Sequence, residues 1–292
     1  MPVVHPPRPA TAGASSTRNG AAVTSCMPGA EREPVAVVVA RGSSSRAAAG
    51  ALASRLGLPL AGAAGQGSDV IEVLVGDGLA LRLAGGPEVS ARVDLLASPR
   101  SGGADPLFKA VLSGASAVID ATAGLGADSF HLAARGVHVT MIERSALVAS
   151  LLADALERAA GGEFGPRAQE AAGLMTLHHG DARAVLPGLS AGVVLLDPMF
   201  PEGDKSSSPK KGMKLFRALQ PPAPDDDEEH AELLAIARRS ATRRVVVKRP
   251  VRAAPLAGVA PSGSLVGRTV RFDLYAPVET ARTEGRVRGE QP

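Results

Sequence analysis

Aromatic residues are scarce in this chain of 292 residues, which has no tryptophan, one tyrosine and six phenylalanines. Because 45% of the residues are hydrophobic and only 2% are aromatic, an aliphatic core is expected. A single cysteine, Cys26, excludes a disulfide within the chain and a zinc site built from several cysteines, and it is typical of a reducing compartment. No apolar stretch approaches the roughly 20 residues of a membrane span, so no membrane partner is expected.

Charge of either sign is nearly balanced, with a formal net charge of +3 and a pI near 9.3. This mild basic excess agrees with an RNA partner without requiring one. Residues 1–33 are rich in small and polar residues and contain no acid before Glu31, so a disordered extension is predicted. Their composition overlaps with that of a transit peptide. A cytoplasmic location is expected, with an organelle as the alternative.

Residues 34–115 show the pattern of a small α/β subdomain. Gly76-Asp77-Gly78 lies between two apolar runs and is a hairpin signal. The predicted helix covers residues 47–56, and the predicted strands cover residues 35–39, 70–75, 79–83 and 92–96.

Residues 116–292 alternate strands with helices, which predicts a Rossmann-like domain with a parallel sheet and helices on both faces. Ser145 is placed to cap a helix over residues 146–160. The alternating segments near the end, 265–266 and 270–276, predict an antiparallel edge. The other predicted elements are strands at 117–120, 137–143, 174–178, 193–196 and 244–248, a helix ending at Arg135 and a helix over 228–239.

A glycine-rich turn follows the first strand of this domain, from Asp120 to Asp128. Gly124 and Gly126 allow the backbone to turn tightly and approach a ligand, and the following helix begins with free N–H groups. The third glycine of a dinucleotide fingerprint is missing, which argues against NAD. A plain tight turn is the alternative interpretation.

Acidic residues follow the next two strands. Glu143 is placed to accept the ribose hydroxyls of an adenosine, and Asp181 to accept its adenine amino group. A solvated acid at a helix start and an ordinary loop are the alternatives. His178 and His179 do not predict a metal site, because adjacent side chains on a strand point to opposite faces.

The fourth strand ends in Asp197-Pro198-Met199-Phe200-Pro201. An exocyclic amine on a base is a poor nucleophile, so a carboxylate and a backbone carbonyl must accept its N–H bonds and direct its lone pair toward a methyl group. Asp197 and Pro198 supply these acceptors, and Phe200 supplies a flat surface for the extruded base. A strand followed by a proline turn is the alternative.

Basic residues follow this motif and end the next strand. They predict contacts with RNA phosphates, whereas a solvated loop and a core strand with solvated ends are the alternatives. The candidates are Lys205, Lys210, Lys211, Lys248 and Arg249. A glycine turn and three acids at successive strand ends form one crevice, which predicts an N-methyltransferase that depends on S-adenosylmethionine.

Over roughly residues 90–277 the chain resembles the ribosomal RNA small subunit methyltransferase J family. The resemblance implies methylation of N2 of one guanine in 16S small-subunit ribosomal RNA, with S-adenosylmethionine as cofactor, no metal, and free rRNA or a 30S assembly intermediate as partner. The motifs that carry it are Val118–Gly126, Met141–Arg144, Leu195–Pro201, Lys210–Met213, Arg244–Pro250 and Arg271–Ala276. The cofactor contacts that it implies are Ala127, Asp128, Glu143, Arg144, Asp181, Ala182 and Asp197, beside Asp120, Gly124 and Gly126 of the turn.

Two departures from the family pattern leave one alternative open, and a pocket shared with other enzymes leaves a second. Ala127 stands where the family often has arginine, and the glycine-rich basic segment before the fold is shortened to Arg100–Leu107. A cofactor-binding rRNA assembly factor without turnover is therefore one alternative. The other is an N-methyltransferase for adenine, DNA or a protein glutamine, since these enzymes share the Asp/Asn-Pro-x-aromatic pocket.

Overall fold

The structure, a computed structural model, describes residues 36–61, 70–91, 105–112, 115–198, 215 and 226–278. Within these residues, 36–90 belong to one compact unit, and 91–198 with 226–278 belong to a second. The predicted extension at 1–33 and the predicted strand at 92–96 lie outside the described residues. The domain boundary after residue 115 stays a prediction.

The smaller unit is a four-stranded sheet with one helix in its described part. Strand β1 (Ala36–Ala40) is followed by α1 (Arg46–Leu56), β2 (Leu60–Ala61), β3 (Ile71–Val75) and β4 (Leu79–Leu83), in the sheet order β2-β1-β3-β4. β1 pairs in parallel with β2 and β3, and β3 and β4 form the predicted antiparallel hairpin. Glu72 is fully buried and pairs across this hairpin with Arg82.

The larger unit contains a seven-stranded sheet in the order β10-β11-β9-β8-β5-β6-β7. Its strands are β5 (Ala117–Asp120), β6 (His138–Glu143), β7 (Met175–His179), β8 (Ala191–Leu196), β9 (Ala241–Pro250), β10 (Gly263–Val266) and β11 (Val270–Tyr275). The five strands from β9 to β7 are parallel, and β11 and β10 add the predicted antiparallel edge. Because the central strands are parallel, their carboxyl ends meet at one edge of the sheet.

Helices connect these strands. They are α2 (Pro106–Leu112), α3 (Ala127–Ala133), α4 (Ala146–Ala160), α5 (Pro166–Ala172), α6 (Ala182–Val185) and α7 (Asp226–Ser240). Ser145 caps α4 as predicted, since its hydroxyl accepts the Val148 N–H at 3.4 Å. The helices α2, α5 and α6 were not predicted, because segments of seven residues or fewer are too short to show a helical period. Helix α3 is equally short, but the glycine-rich turn before it and Gly136 after it marked its ends.

The core occupies both faces of this sheet. On one face, Ile119, Val194 and Val245 pack with residues of α7. Their neighbours Val118, Val193 and Val246 point to the opposite face, where α3 and α4 lie against β6 and β7, and all are buried. No helix in the described part of the chain combines the length and the apolar character that crossing a membrane requires.

Candidate active site

The glycine-rich turn and the end of β6 are joined by one carboxylate. Glu143 Oε2 accepts the N–H of Gly124 at 2.9 Å, and Oε1 accepts the N–H of Ser145 at 2.8 Å. Gly126 adopts φ +76°, and a Cβ there would lie 2.9 Å from the Leu152 side chain, so a glycine is required for both conformation and space. Glu143 is therefore held rigidly at the mouth of the crevice.

The carboxylate of Glu143 retains acceptor capacity for a ligand. A carboxylate offers about four lone-pair positions, and the backbone N–H groups of Gly124 and Ser145 use two of them. Desolvation raises the pKa of Glu143, and the backbone hydrogen bonds from Ser145 and Gly124 oppose that rise. Such an acceptor fits the ribose hydroxyls of S-adenosylmethionine, which is the role that the sequence predicts for it.

Asp120 lies beneath the turn rather than at its surface. Only 3% of the residue is exposed, and its carboxylate accepts the Ser129 hydroxyl at 2.6 Å and the Thr122 N–H at 3.2 Å. Desolvation, with the nearby charges of Asp128 and Asp197, raises the pKa of Asp120 to about 7, although the two hydrogen bonds oppose the rise. In this structure Asp120 stabilises the turn from its buried side through these two hydrogen bonds.

Asp197 emerges at the end of β8, next to this turn. Its backbone N–H donates to Thr122 Oγ1 at 2.6 Å, so the glycine-rich turn orients the strand end directly. The Asp197 side chain is 43% exposed, whereas Pro198 is buried. The carboxylate is thus fixed at its base and accessible at its tip.

Lys248 brings two of the predicted site residues together. Its Nζ donates to Asp128 Oδ2 at 2.6 Å and to Asp197 Oδ2 at 2.8 Å. Desolvation opposes the charge of Lys248, but the carboxylates of Asp197 and Asp128 outweigh it and raise the pKa of the lysine. The predicted RNA contact of Lys248 is replaced in this structure by an ion-pair bridge across the crevice.

Asp181 is engaged by a neighbour that sequence reasoning missed. It caps α6 through the Arg183 N–H at 2.8 Å, and the Arg183 guanidinium binds its Oδ2 at 2.6 Å. This side-chain hydrogen bond is the main cause that lowers the pKa of Asp181. Arg183 also reaches Glu232 of α7 at 3.1 Å. The adjacent Ala182 is buried at the start of α6.

Two predicted basic contacts have other partners. Arg144 donates to Glu229 of α7 at 2.8 Å instead of reaching into the crevice. Arg249 is only 6% exposed, and its guanidinium donates to the Ala254 carbonyl at 2.6 Å. Because Arg249 follows Lys248 on a strand, its side chain points to the opposite face. The structure therefore gives the predicted RNA contact of Arg249 no support.

Several predicted site residues lie outside the described part of the chain, namely Phe200, Lys205, Lys210 and Lys211. Ala127 begins α3 beside Asp128 and is partly exposed. Within the described ranges, no three His, Cys, Asp or Glu side chains form a group that could hold a metal ion.

Thr122 and Arg183 are the functional candidates that sequence reasoning missed. Thr122 lies inside the glycine-rich turn, and its role depends on the approach of Asp197, 75 residues later in the chain. Arg183 could have been found, because it follows Asp181 by only two residues and its charge is opposite to that of the carboxylate.

Comparison with known proteins places this crevice in a family context. A family of putative SAM-dependent methyltransferases matches residues 96–277. The chain is 44% identical over 245 residues to the ribosomal RNA small subunit methyltransferase J of Thioalkalivibrio sulfidiphilus, covering 79% of this chain and 93% of that protein. The protein of the same name from Halorhodospira halophila is 42% identical over 243 residues, which cover 78% of this chain and 89% of the relative.

A solved structure agrees with these sequence likenesses. The crystal structure of a SAM-dependent methyltransferase from Neisseria gonorrhoeae is 31% identical to this chain, with a TM-score of 0.66. The superposition covers 84% of this chain and 97% of that one. The mixed α/β fold with its mostly parallel sheet is therefore shared over nearly the whole of the solved protein.

Proposed function

We propose, since the chain belongs to the ribosomal RNA small subunit methyltransferase J family, that it methylates the exocyclic N2 of one guanine in small-subunit ribosomal RNA. The observation that carries this proposal is the position of Asp197. Its side chain is 43% exposed at the strand end beside the Glu143 crevice, and its backbone N–H donates to Thr122 of the glycine-rich turn. S-adenosylmethionine, when bound, supplies an electrophilic methyl group on a sulfonium that becomes a neutral thioether after transfer.

The residues of this chain would divide the binding of the cofactor among them. Glu143 would accept the ribose hydroxyls through its remaining lone pairs, and the backbone of the turn at Gly124 would lie against the cofactor. Asp181 would accept the adenine amine with lone pairs that Arg183 does not use. Asp128 would contact the cofactor while its carboxylate also binds Lys248.

Asp197 and the carbonyl of Pro198 would accept the two N–H bonds of the guanine amine. This arrangement keeps the nitrogen lone pair out of the ring system and directs it toward the methyl group. The amine becomes acidic once the new N–C bond has formed, so it releases one proton to solvent and no strong base is needed. Most of the rate enhancement would come from positioning of the reactants.

The proposed substrate is small-subunit rRNA, either free or within a 30S assembly intermediate, and a cytoplasmic location is proposed with it. A direct test incubates the purified chain with methyl-labelled S-adenosylmethionine and small subunits that lack the modification, then analyses the nucleosides. Free rRNA in a parallel reaction distinguishes the two forms of substrate. Label in N2-methylguanosine is the expected result. Label in another nucleoside would keep the enzyme class and refute the guanine assignment.

The variant Asp197→Ala links this reaction to the site. We expect it to lower kcat/KM at least about 100-fold, because the amine loses its charged acceptor and its orientation, while the far-UV circular dichroism spectrum stays unchanged. Glu157→Ala removes an exposed carboxylate from the far end of α4 and serves as the matched control. Loss of folded structure in Asp197→Ala would show that the residue is structural. Full activity would refute its proposed role.

A further inference from the structure

Lys248 lies inside the crevice but has no role of its own in the proposed function. In the register of the parallel pair β8 and β9, Leu196 lies opposite Val247, so Asp197 and Lys248 are the next residues along the two neighbouring chains. The lysine Nζ lies 2.8 Å from Asp197 Oδ2 and 2.6 Å from Asp128 Oδ2. Its side chain is 25% exposed. The ammonium thus sits between two carboxylates rather than in open solvent.

This arrangement is unsuited to an RNA phosphate contact. An ammonium group has three donor hydrogens, and two of them already point to Asp128 and Asp197. A phosphate would have to approach these two carboxylates and compete with them for the same charge. The positive charge of Lys248 is therefore neutralised by these two carboxylates inside the site.

We infer that Lys248 is a positioning residue for methyl transfer, which holds the Asp197 carboxylate by Oδ2 and leaves Oδ1 to accept the guanine amine. This inference rests on the proposed function. Within the described part of the chain, the hydrogen bonds of the Asp197 side chain involve Oδ2. Together with the bond from the Asp197 N–H to Thr122 at 2.6 Å, the lysine holds Asp197 by both its backbone and its side chain. Oδ1 is then the oxygen left for the guanine amine.

The positive charge of Lys248 also favours the deprotonated form of Asp197, which accepts hydrogen bonds. Among the described residues, the charged groups that face Asp197 are Lys248 from β9, Asp128 from α3 and Asp120 from β5. Desolvation raises the pKa of Asp197, Lys248 lowers it and Asp128 raises it again. If the ammonium were removed, the Asp128 carboxylate would face Asp197 without compensation. The residue would then take up a proton at a higher pH and lose the negative charge that the amine requires.

The test compares Lys248→Met, which keeps the length of the side chain, with Lys248→Arg, which keeps its charge. Arg244→Met is the matched control, since it removes one positive charge from the same strand about 13 Å away. Two quantities are measured in each protein. The first is the pH titration of the Asp197 carboxyl by carbon-13 NMR, assigned with Asp197→Asn. The second is kcat and KM for the RNA at saturating S-adenosylmethionine, with saturation checked by calorimetric titration.

In Lys248→Met, we expect the Asp197 titration to move up by about 1–3 pH units, because a cation within hydrogen-bonding distance lowers a carboxyl pKa by that amount. The acidic limb of kcat should move with it, and kcat should fall roughly 10–100-fold while KM for RNA changes little. Lys248→Arg should return the acidic limb toward that of the wild type. Arg244→Met should leave both the titration and kcat unchanged.

Other outcomes would overturn the inference. An unmoved Asp197 titration in Lys248→Met would show that the lysine does not control this carboxylate. A rise in KM for RNA with unchanged kcat would identify Lys248 as a phosphate contact. If Lys248→Met does not fold, Lys248→Arg alone tests the inference. An Asp197 titration and a pH profile of kcat that both differ from those of the wild type, together with a higher KM for RNA, would refute the positioning role. Absence of methyl transfer by the wild type would refute the proposed function, whereas the titration would still test the Lys248 bridge.

Discussion

Asp120 should make the stability of this protein fall as pH rises, and Asp120→Asn should remove that dependence. The carboxyl is almost fully buried, and desolvation is the main cause that raises its pKa from 3.8 to about 7. A group with a raised pKa in the folded state favours folding when it is protonated. Its contribution is complete below the unfolded-state value and is lost as pH rises through the folded-state value. The affected window therefore runs from about pH 4 to pH 7.

The magnitude follows from these two pKa values. With 3.8 for the unfolded chain and about 7 for the folded protein, the stability contributed by Asp120 should fall by about 2–3 kcal/mol between pH 5 and pH 8. Asparagine has nearly the same shape and does not titrate. It can maintain hydrogen bonds to Thr122 and Ser129, so its contribution should be independent of pH. Any constant cost of the substitution cancels in the change of the difference between the two proteins.

Urea unfolding of both proteins at pH 5, 6, 7 and 8 measures this change. Circular dichroism is the suitable signal, because the chain has no tryptophan and one tyrosine. The free-energy difference between wild type and Asp120→Asn should shift in favour of the variant by about 2–3 kcal/mol over this range. Glu157→Gln, an exposed carboxylate on α4, should show a shift below about 0.5 kcal/mol. A constant difference for Asp120→Asn would refute the reasoning, since the carboxyl would then be ionised at pH 5 in the folded protein.

Two further substitutions test the frame around the crevice. Thr122→Val removes the acceptor for the Asp197 N–H. It should lower the free energy of unfolding by about 1–3 kcal/mol and should lower kcat. Thr122→Ser keeps the hydroxyl and should retain the stability and the kcat of the wild type. A stable, fully active Thr122→Val would contradict the role of this hydrogen bond. Glu143→Gln replaces one acceptor oxygen by a donor beside two backbone N–H groups, so calorimetry should show the Kd for S-adenosylmethionine rising about tenfold or more. An unchanged Kd would place the ribose elsewhere.

The predicted elements of the larger unit agree closely with the structure. The cap at Ser145 and the helix over Ala146–Ala160 are confirmed, because capping and helical periodicity are local properties that a sequence displays directly. The antiparallel edge of β10 and β11 is confirmed as well. Strand ends differ by at most three residues. The largest difference is at Ala241–Pro250 against the predicted 244–248, since pairing extends this strand beyond its apolar run.

For the site residues, the sequence predicted the positions but not the side-chain partners. Their order along the chain placed Glu143, Asp181 and Asp197 at successive strand ends, and the parallel pairing brings these ends to one edge. The partners of the charged groups did not follow from that order. Asp181 binds Arg183, Arg144 binds Glu229, and Arg249 turns away to Ala254. The proposed roles of Phe200 and the lysines after it stay predictions.

The sequence by itself determined the fold class, the family and the succession of a glycine turn and acids after the strands. These features depend on residue type and spacing within short segments. Only the tertiary structure decided which groups meet. Lys248 reaches Asp197 across 51 positions and Asp128 across 120, through the register of β8 with β9 and the packing of α3. Such contacts depend on side-chain directions across neighbouring elements, so strand periodicity placed Lys248 at the correct edge but could not identify the two carboxylates that bind it.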